Sequence, residues 1–257
     1  MTAITKGYLV RPISRLLLKH YIPRLLPDPP VFIGGAPRSG TTLLISILGS
    51  HSHIHAIDYE TTAFHPVFQP EKLAAALLLK PGNRRLNRIA PGKTRYCEKT
   101  PGNIRHIDEI IKFYAGRVRC INIVRDGRDV VTSRHPEDPD RYWVPIRRWV
   151  EDAAFGLEAQ RSGQVLTVRY EDLVEGPEAA IRRICDYLDL VFEPVMLEYQ
   201  SAGGSISTMA RMAWDRSAEA INTNSLRKWE RPEHQQRMAE FYASEEAVGL
   251  LRELGYE

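Results

Sequence analysis

Cysteine is scarce in this chain of 257 residues: Cys97, Cys120 and Cys185 are the complete set, and none belongs to a CxxC pair. That scarcity argues against a disulfide framework and leads us to expect a reducing, cytoplasmic setting with the thiols buried as small hydrophobes. Long apolar runs are absent too. The longest is the seven residues 73–79, against the roughly 20 that cross a bilayer, and the N-terminus lacks a signal-peptide core, so a soluble protein is expected. Neither internal repeats nor low-complexity tracts occur, and 43% hydrophobic with 26% charged residues excludes a disordered or fibrous chain.

Acidic residues are missing from two stretches. Residues 1–27 hold Lys6, Arg11, Arg15, Lys19 and Arg24, and residues 72–97 hold Lys72, Lys80, Arg84, Arg85, Arg88, Lys93 and Arg95, with no Asp or Glu in either. The formal net charge is only +3, so the remainder is net acidic and positive charge is localised. Such patches attract anionic substrates, acidic polymers or membrane surfaces, or simply form solvated faces. Residues 1–28 read as a basic amphipathic arm with Leu9, Ile13, Leu16, Leu17 and Tyr21 at helical spacing; packing on the domain is expected ahead of peripheral membrane contact. Residues 29–257 form the single domain.

Strand and helix signals alternate through that domain. Val31-Phe32-Ile33 follows the breaker Pro27-Asp28-Pro29-Pro30 and runs into a glycine-rich loop, after which residues 41–48 form a compact apolar helix expected to stop at Gly49. Further strands are expected at 118–124 and 165–170. Ile104, Ile107, Ile111 and Tyr114 mark one amphipathic helix, Ile146, Trp149, Val150, Ala153 and Leu157 another, and Ile181, Ile184, Cys185 and Leu188 a third starting near Pro177. This order predicts an α/β fold: a P-loop-type parallel sheet flanked by helices, with ligands at the carboxyl ends of the strands.

Gly35-Ala36-Pro37-Arg38-Ser39-Gly40-Thr41-Thr42 has the G-x-x-x-x-G spacing that curls backbone N–H groups around an oxyanion at a helix N-terminus. The Lys that normally follows the second Gly is replaced by Thr41, and Arg38 is the cation of the loop. In nucleoside triphosphatases that Lys reaches the β- and γ-phosphates, so its loss argues against ordinary ATP or GTP chemistry.

The run Pro37-Arg38-Ser39-Gly40-Thr41-Thr42-Leu43-Leu44 resembles the 5′-phosphosulfate loop of sulfotransferases that use 3′-phosphoadenosine 5′-phosphosulfate (PAPS) and release PAP. Arg125-Asp126-Gly127-Arg128-Asp129-Val130-Val131-Thr132-Ser133 is similar to that family's 3′-phosphate site, which implies that Arg125 and Ser133 grip that phosphate. Physically, Arg125 offers a planar fork to an oxyanion, and Ser133 a hydroxyl from the early turns of the next helix. The segment from Val168 through Tyr170-Glu171-Asp172-Leu173 resembles the family's nucleotide-side tyrosine, which points to Tyr170. Ser225-Leu226-Arg227-Lys228-Trp229 resembles its closing segment, which points to Arg227 and Lys228 over the nucleotide. The matches run from about residue 31 to 230.

The resemblance implies in-line sulfuryl transfer without a metal. Arg38 and the backbone of Ser39, Gly40, Thr41 and Thr42 would hold the donor's 5′-phosphate. Glu98-Lys99-Thr100-Pro101 presents a cation at a strand end, with Thr100 and Pro101 suited to start a helix, and the family's Lys-x-Pro segment implies that Lys99 stabilises the leaving group. A local resemblance to protein-tyrosine sulfotransferases implies Glu60, in Asp58-Tyr59-Glu60-Thr61-Thr62, as the base; Asp58 or one of His51, His53, His55 and His65 is the alternative. The acceptor is open among an anionic glycan, a lipid, a peptide tyrosine and a small metabolite, with pocket loops expected at 52–96, 134–146 and 200–224; nucleic acid is not expected. Two other readings stand beside this one, a phosphoryl transferase using ATP and Mg²⁺ and an inactive nucleotide-binding interaction module.

Overall fold

A computed structural model describes residues 11–80, 83–86, 89–135, 137–198 and 225–256, with residues 80 and 83–86 described by backbone alone. The proposed acceptor loop at 200–224, together with Lys6 and Leu9 of the arm, lies outside the described residues, as do the side chains of Lys80, Arg84, Arg85 and Arg88.

Strands β1 (Val31–Gly34), β2 (Ile54–Ala56), β5 (Arg95–Lys99), β6 (Arg119–Val124) and β7 (Leu166–Arg169) form a parallel sheet in the order β2-β5-β1-β6-β7. A separate antiparallel hairpin joins β3 (Leu79–Lys80) to β4 (Asn83–Leu86). Ile33 of β1 stands opposite Lys99 on one side and Ile121 on the other, so the central strand's loop opens where the chain order reverses.

Side chains alternate across β1. Val31 and Ile33 pack with α1 (Thr41–Ser50), α6 (Tyr170–Glu175) and α7 (Pro177–Tyr187), whose Leu44, Leu48, Leu173, Ile181 and Ile184 are buried on that face. Phe32 points to the opposite face, against Leu73 and Leu77 of α2 (Pro70–Leu78) and Ile107 and Ile110 of α3 (Ile107–Phe113). A third cluster centres on Trp149 of α5 (Ile146–Arg161), with Val130 of α4 (Gly127–Val131), Phe241 of α8 (Gln235–Tyr242) and Leu251 of α9 (Glu245–Glu253). The parallel sheet covered by helices on both faces agrees with the α/β expectation.

Three local expectations need correction. Gly49 does not stop α1. The helix runs to Ser50, and Gly49 serves close approach instead, since a Cβ there would lie 2.9 Å from that of Ala56 on β2. Thr100 flanks a short 3-10 helix, Pro101–His106, but gives no capping bond, because its hydroxyl is drawn to Glu98. The arm is helical over residues 11–25 and packs on the domain through Leu18, Ile22 and Leu26, whereas Ile13, Leu16 and Tyr21 of the expected stripe are exposed. A π-helical segment, Leu17–Tyr21, widens the turn, so the buried row recurs every four residues from Ser14 to Leu26.

Candidate active site

Every strand of the parallel sheet delivers one predicted side chain at or just beyond its carboxyl end. Glu60 follows β2, Lys99 ends β5, Arg38 lies in the loop after β1, Arg125 follows β6 and Tyr170 follows β7. Sheet order therefore sets their order in space, from Glu60 at one margin to Tyr170 at the other.

The loop after β1 is shaped by backbone conformations that side chains resist: Gly35, Arg38 and Gly40 have φ of 145°, 71° and 96°. Crowding fixes the two glycines as well. A Cβ at Gly35 would lie 2.3 Å from the Ile123 carbonyl, and one at Gly40 2.4 Å from the Tyr170 ring. The first intrahelical bond of α1 runs from the Leu44 N–H to the Gly40 carbonyl (3.0 Å), so the N–H groups of Thr41, Thr42 and Leu43 precede the helical ladder and open toward the loop. The Ser39 N–H closes a turn onto the Ala36 carbonyl at 3.2 Å, while the buried Ser39 hydroxyl has no hydrogen-bond partner among the described residues.

Arg125 lies across this loop. Its Nη1 donates to the Arg38 carbonyl (3.0 Å), its Nη2 to the Ser225 carbonyl, and its guanidinium stacks 4.3 Å from the centre of the Tyr170 ring. Its Nε is buried without a partner among the described residues. Arg38, Arg125 and Lys228 lie close enough to repel one another. Burial and then Arg125 depress the Arg38 guanidinium, and burial, Arg125 and Arg38 bring Lys228 down to about 8, against the opposing pull of Asp129.

The remaining donor-side residues divide. Ser133 lies two residues beyond the short α4, not in its early turns, and donates to the Asp129 carbonyl at 2.9 Å. Arg227 turns its guanidinium to Glu230 at the surface (Nε to Oε1, 2.7 Å), so within the closing segment Lys228 joins the cation cluster and Arg227 does not. Asp129, which sequence reasoning left unassigned, gathers this segment. Its carboxylate accepts from the backbone N–H groups of Arg227 (2.9 Å) and Trp229 (3.2 Å) and stands 3.7 Å from Arg125, with burial raising its pKa. Its place four residues after Arg125 at a helix start was the available signal.

At the opposite margin Lys99 Nζ meets Glu60 Oε1 at 2.7 Å, with Lys99 nearly buried and Glu60 exposed on one side. A second unforeseen carboxylate fixes this pair. Glu98 Oε1 accepts from the Thr61 N–H (3.1 Å), the Thr61 hydroxyl (2.8 Å) and the Thr100 hydroxyl (2.6 Å), and Oε2 accepts from Asn103 (2.7 Å). Glu98 precedes Lys99 and Thr61 follows Glu60, so the buried clasp sets the distance between Lys99 and the more exposed Glu60. Burial raises the Glu98 pKa, opposed by these hydrogen bonds.

The alternative bases have surroundings of their own. Burial raises the Asp58 pKa. His51 bonds the Val191 carbonyl at 2.9 Å, burial depresses both His51 and His55, His53 stacks edge-on with His51, and His65 pairs with His106 at 3.4 Å. Among the described residues no cluster of three or more His, Cys, Asp or Glu is arranged to hold a metal. The basic stretch 72–97 is partly internal: Arg95 is buried and pairs with Asp28 at 3.6 Å, Lys72 donates to Thr62 and Lys93 to the His51 carbonyl. As an open anionic-acceptor surface it is therefore smaller than its composition suggests.

The parallel order and the glycine-hinged loop define the class: an α/β protein of P-loop type with its cations gathered at the carboxyl edge of the sheet. Residues 29–80 and 73–194 match the Sulfotransferase family, and the chain belongs to it. Protein-tyrosine sulfotransferase A of Caenorhabditis elegans is 25% identical over 270 residues, covering 90% of this chain and 68% of its own. Protein-tyrosine sulfotransferase 1 of Danio rerio is 22% identical over 238 residues, 78% of this chain and 65% of its own. Among solved structures, the sulfotransferase domain from the Synechococcus PCC 7002 olefin synthase superposes with a TM-score of 0.59 at 21% identity, over 90% of this chain and 96% of that one. A mouse sulfotransferase complexed with PAP gives 0.50 at 15% identity, over 86% and 88%.

Proposed function

We propose that this sulfotransferase takes its sulfuryl group from PAPS and delivers it to a hydroxyl, or an amine, of its acceptor, with residues 29–257 carrying the chemistry and residues 1–28 an appended basic arm. The observation that carries this reading is the mutually repelling cluster of Arg38, Arg125 and Lys228 around a loop whose Ser39 hydroxyl and Arg125 Nε, though buried, lack partners among the described residues. Such a cluster fits a ligand with phosphate-type anions at both ends, as the PAP of the mouse structure has.

Arg38, Ser39, Gly40, Thr41 and Thr42 would hold the 5′ end of the donor, Arg125 and Ser133 the 3′-phosphate, and Tyr170 and Lys228 the nucleoside side, which Arg227 would reach only by leaving Glu230. The fork of Arg125 rests on the Arg38 and Ser225 carbonyls, so anion binding exchanges those bonds for charged ones. Glu60 accepts the acceptor's proton as its oxygen attacks. Lys99, released from Glu60, turns its charge to the developing negative oxygens. The likeness to tyrosine-sulfating relatives favours a peptide tyrosine as acceptor. No helix among the described residues is long and apolar enough to cross a membrane, and the free, buried cysteines accord with a cytoplasmic setting.

Thermal shift with PAP in the absence of Mg²⁺ tests the donor: a raised Tm is expected, and a shift with ATP and Mg²⁺ alone would overturn the reading. Labelled PAPS offered with tyrosine peptides, glycans, lipids and phenolic metabolites then identifies the acceptor by the product that takes up label.

A further inference from the structure

The N-terminal helix carries more apolar surface than the fold uses. Its buried row, Ser14, Leu18, Ile22 and Leu26, rests on the cluster that contains Phe64, Leu73 and Ile110. One flank of that row is cationic: Arg11 pairs with Glu71, Arg15 lies over the Phe68 ring and Lys19 over that of Phe113. The other flank is apolar, with Ile13, Tyr21 and Leu25 exposed and Leu17 half-buried. The outward row adds Leu16, His20 and Arg24. Ile13 and Leu16 are 57% and 58% exposed, values at which solvent, not the domain, covers the side chain.

From this arrangement we propose that the helix is a peripheral docking surface for an anionic lipid bilayer, its apolar flank seated among the acyl-chain ends and its cations level with the headgroups. Three features favour a bilayer. The exposed face is a convex helix, the shape that sinks into an interface, whereas a protein partner of such a face must supply a groove. The outward row, with Arg24 in it, joins the apolar flank to the cationic one, residues 1–27 hold no acid, and Arg11 already neutralises the neighbouring Glu71, so the charge left on this face is complementary to anionic headgroups. A second copy packed on the same face would set cationic rows against each other. The helix also rests on Phe68 and Glu71, and Lys72 ties that segment to Thr62 at 2.9 Å, so the seat adjoins the Glu60 margin of the sheet.

The test is flotation of the full chain with phosphatidylcholine vesicles, with and without phosphatidylglycerol, alongside the Ile13→Asp/Leu16→Asp double variant and Arg24→Glu. These positions are exposed, and an unchanged Tm confirms that each variant folds. Expected are binding to the doped vesicles, little to pure phosphatidylcholine, weakening by high salt, and a loss of about tenfold or more in the double variant. Failure to float with doped vesicles, or undiminished binding by the double variant, would overturn the proposal. So would a dimer that Ile13→Asp/Leu16→Asp dissociates without any vesicle binding, which would assign the face to a second copy.

Discussion

Thr61 supplies two of the hydrogen bonds that hold Glu98, and Glu98 in turn holds the strand end from which Lys99 reaches Glu60. Thr61→Val keeps the shape but strips the hydroxyl, leaving a buried carboxylate short of one donor at a cost of about 1–3 kcal/mol. We expect kcat to fall about tenfold or more with PAP affinity unchanged and Thr61→Ser to restore it; equal losses in kcat and PAP binding would show a general disturbance. Lys228 gives a pH signature. Its folded pKa, about 8, lies below the ordinary lysine value, so it is charged below pH 8 and loses its attraction for an anion above it. PAP affinity should weaken as pH rises from about 7 to about 9, and Lys228→Met should bind less tightly at about pH 7 but with a flatter profile in calorimetric titration. Stability without ligand runs the other way. Because the unfolded lysine retains its proton to higher pH, the ligand-free protein gains stability from this group as pH rises from about 8 toward the ordinary lysine value and loses it as pH falls back.

At the scale of elements, α4 is a short helix pressed under Trp149 of α5, and both Arg125 and Ser133 flank it. A Cβ at Gly127 would lie 2.3 Å from the Trp149 ring, a contact neither the indole nor the backbone relieves without moving. Gly127→Ala should therefore lower stability by about 1–3 kcal/mol and weaken PAP binding in the same variant, read by thermal shift with and without PAP. The elements were legible in the sequence where their signals are contiguous: strand, glycine loop and helix lie within residues 31–50, and Arg125 and Ser133 frame one motif. The two clasps were not. Glu98 meets Thr61 across 37 residues, and Asp129 meets Arg227 across 98, so neither carboxylate shows its partner until the sheet brings distant segments together. Likewise helical spacing marked Ile13, Leu16 and Tyr21 as a stripe, but the π-helical turn at Leu17–Tyr21 brought Leu18 and Ile22 to the domain instead.

Over the whole molecule, the sheet sets the two proposed tasks on either side of β1. Glu60, Thr61, Glu98 and Lys99 all fall between the start of β2 and the end of β5, one uninterrupted stretch of chain, while Arg125, Ser133, Tyr170 and Lys228 belong to the chain beyond β6. On the proposed roles this stretch carries the base and one part of the acceptor pocket, beside the loops expected at 134–146 and 200–224. Transplanting residues 54–98 from a homologue of different acceptor preference, with Lys99 kept, should shift the recipient's selectivity while its PAP dissociation constant stays put, a result readable by competing two acceptors in one assay. On that proposal, divergence within this fold has an easy route, since an exchange bounded by one crossover at each border alters the sulfated partner and spares the fuel site.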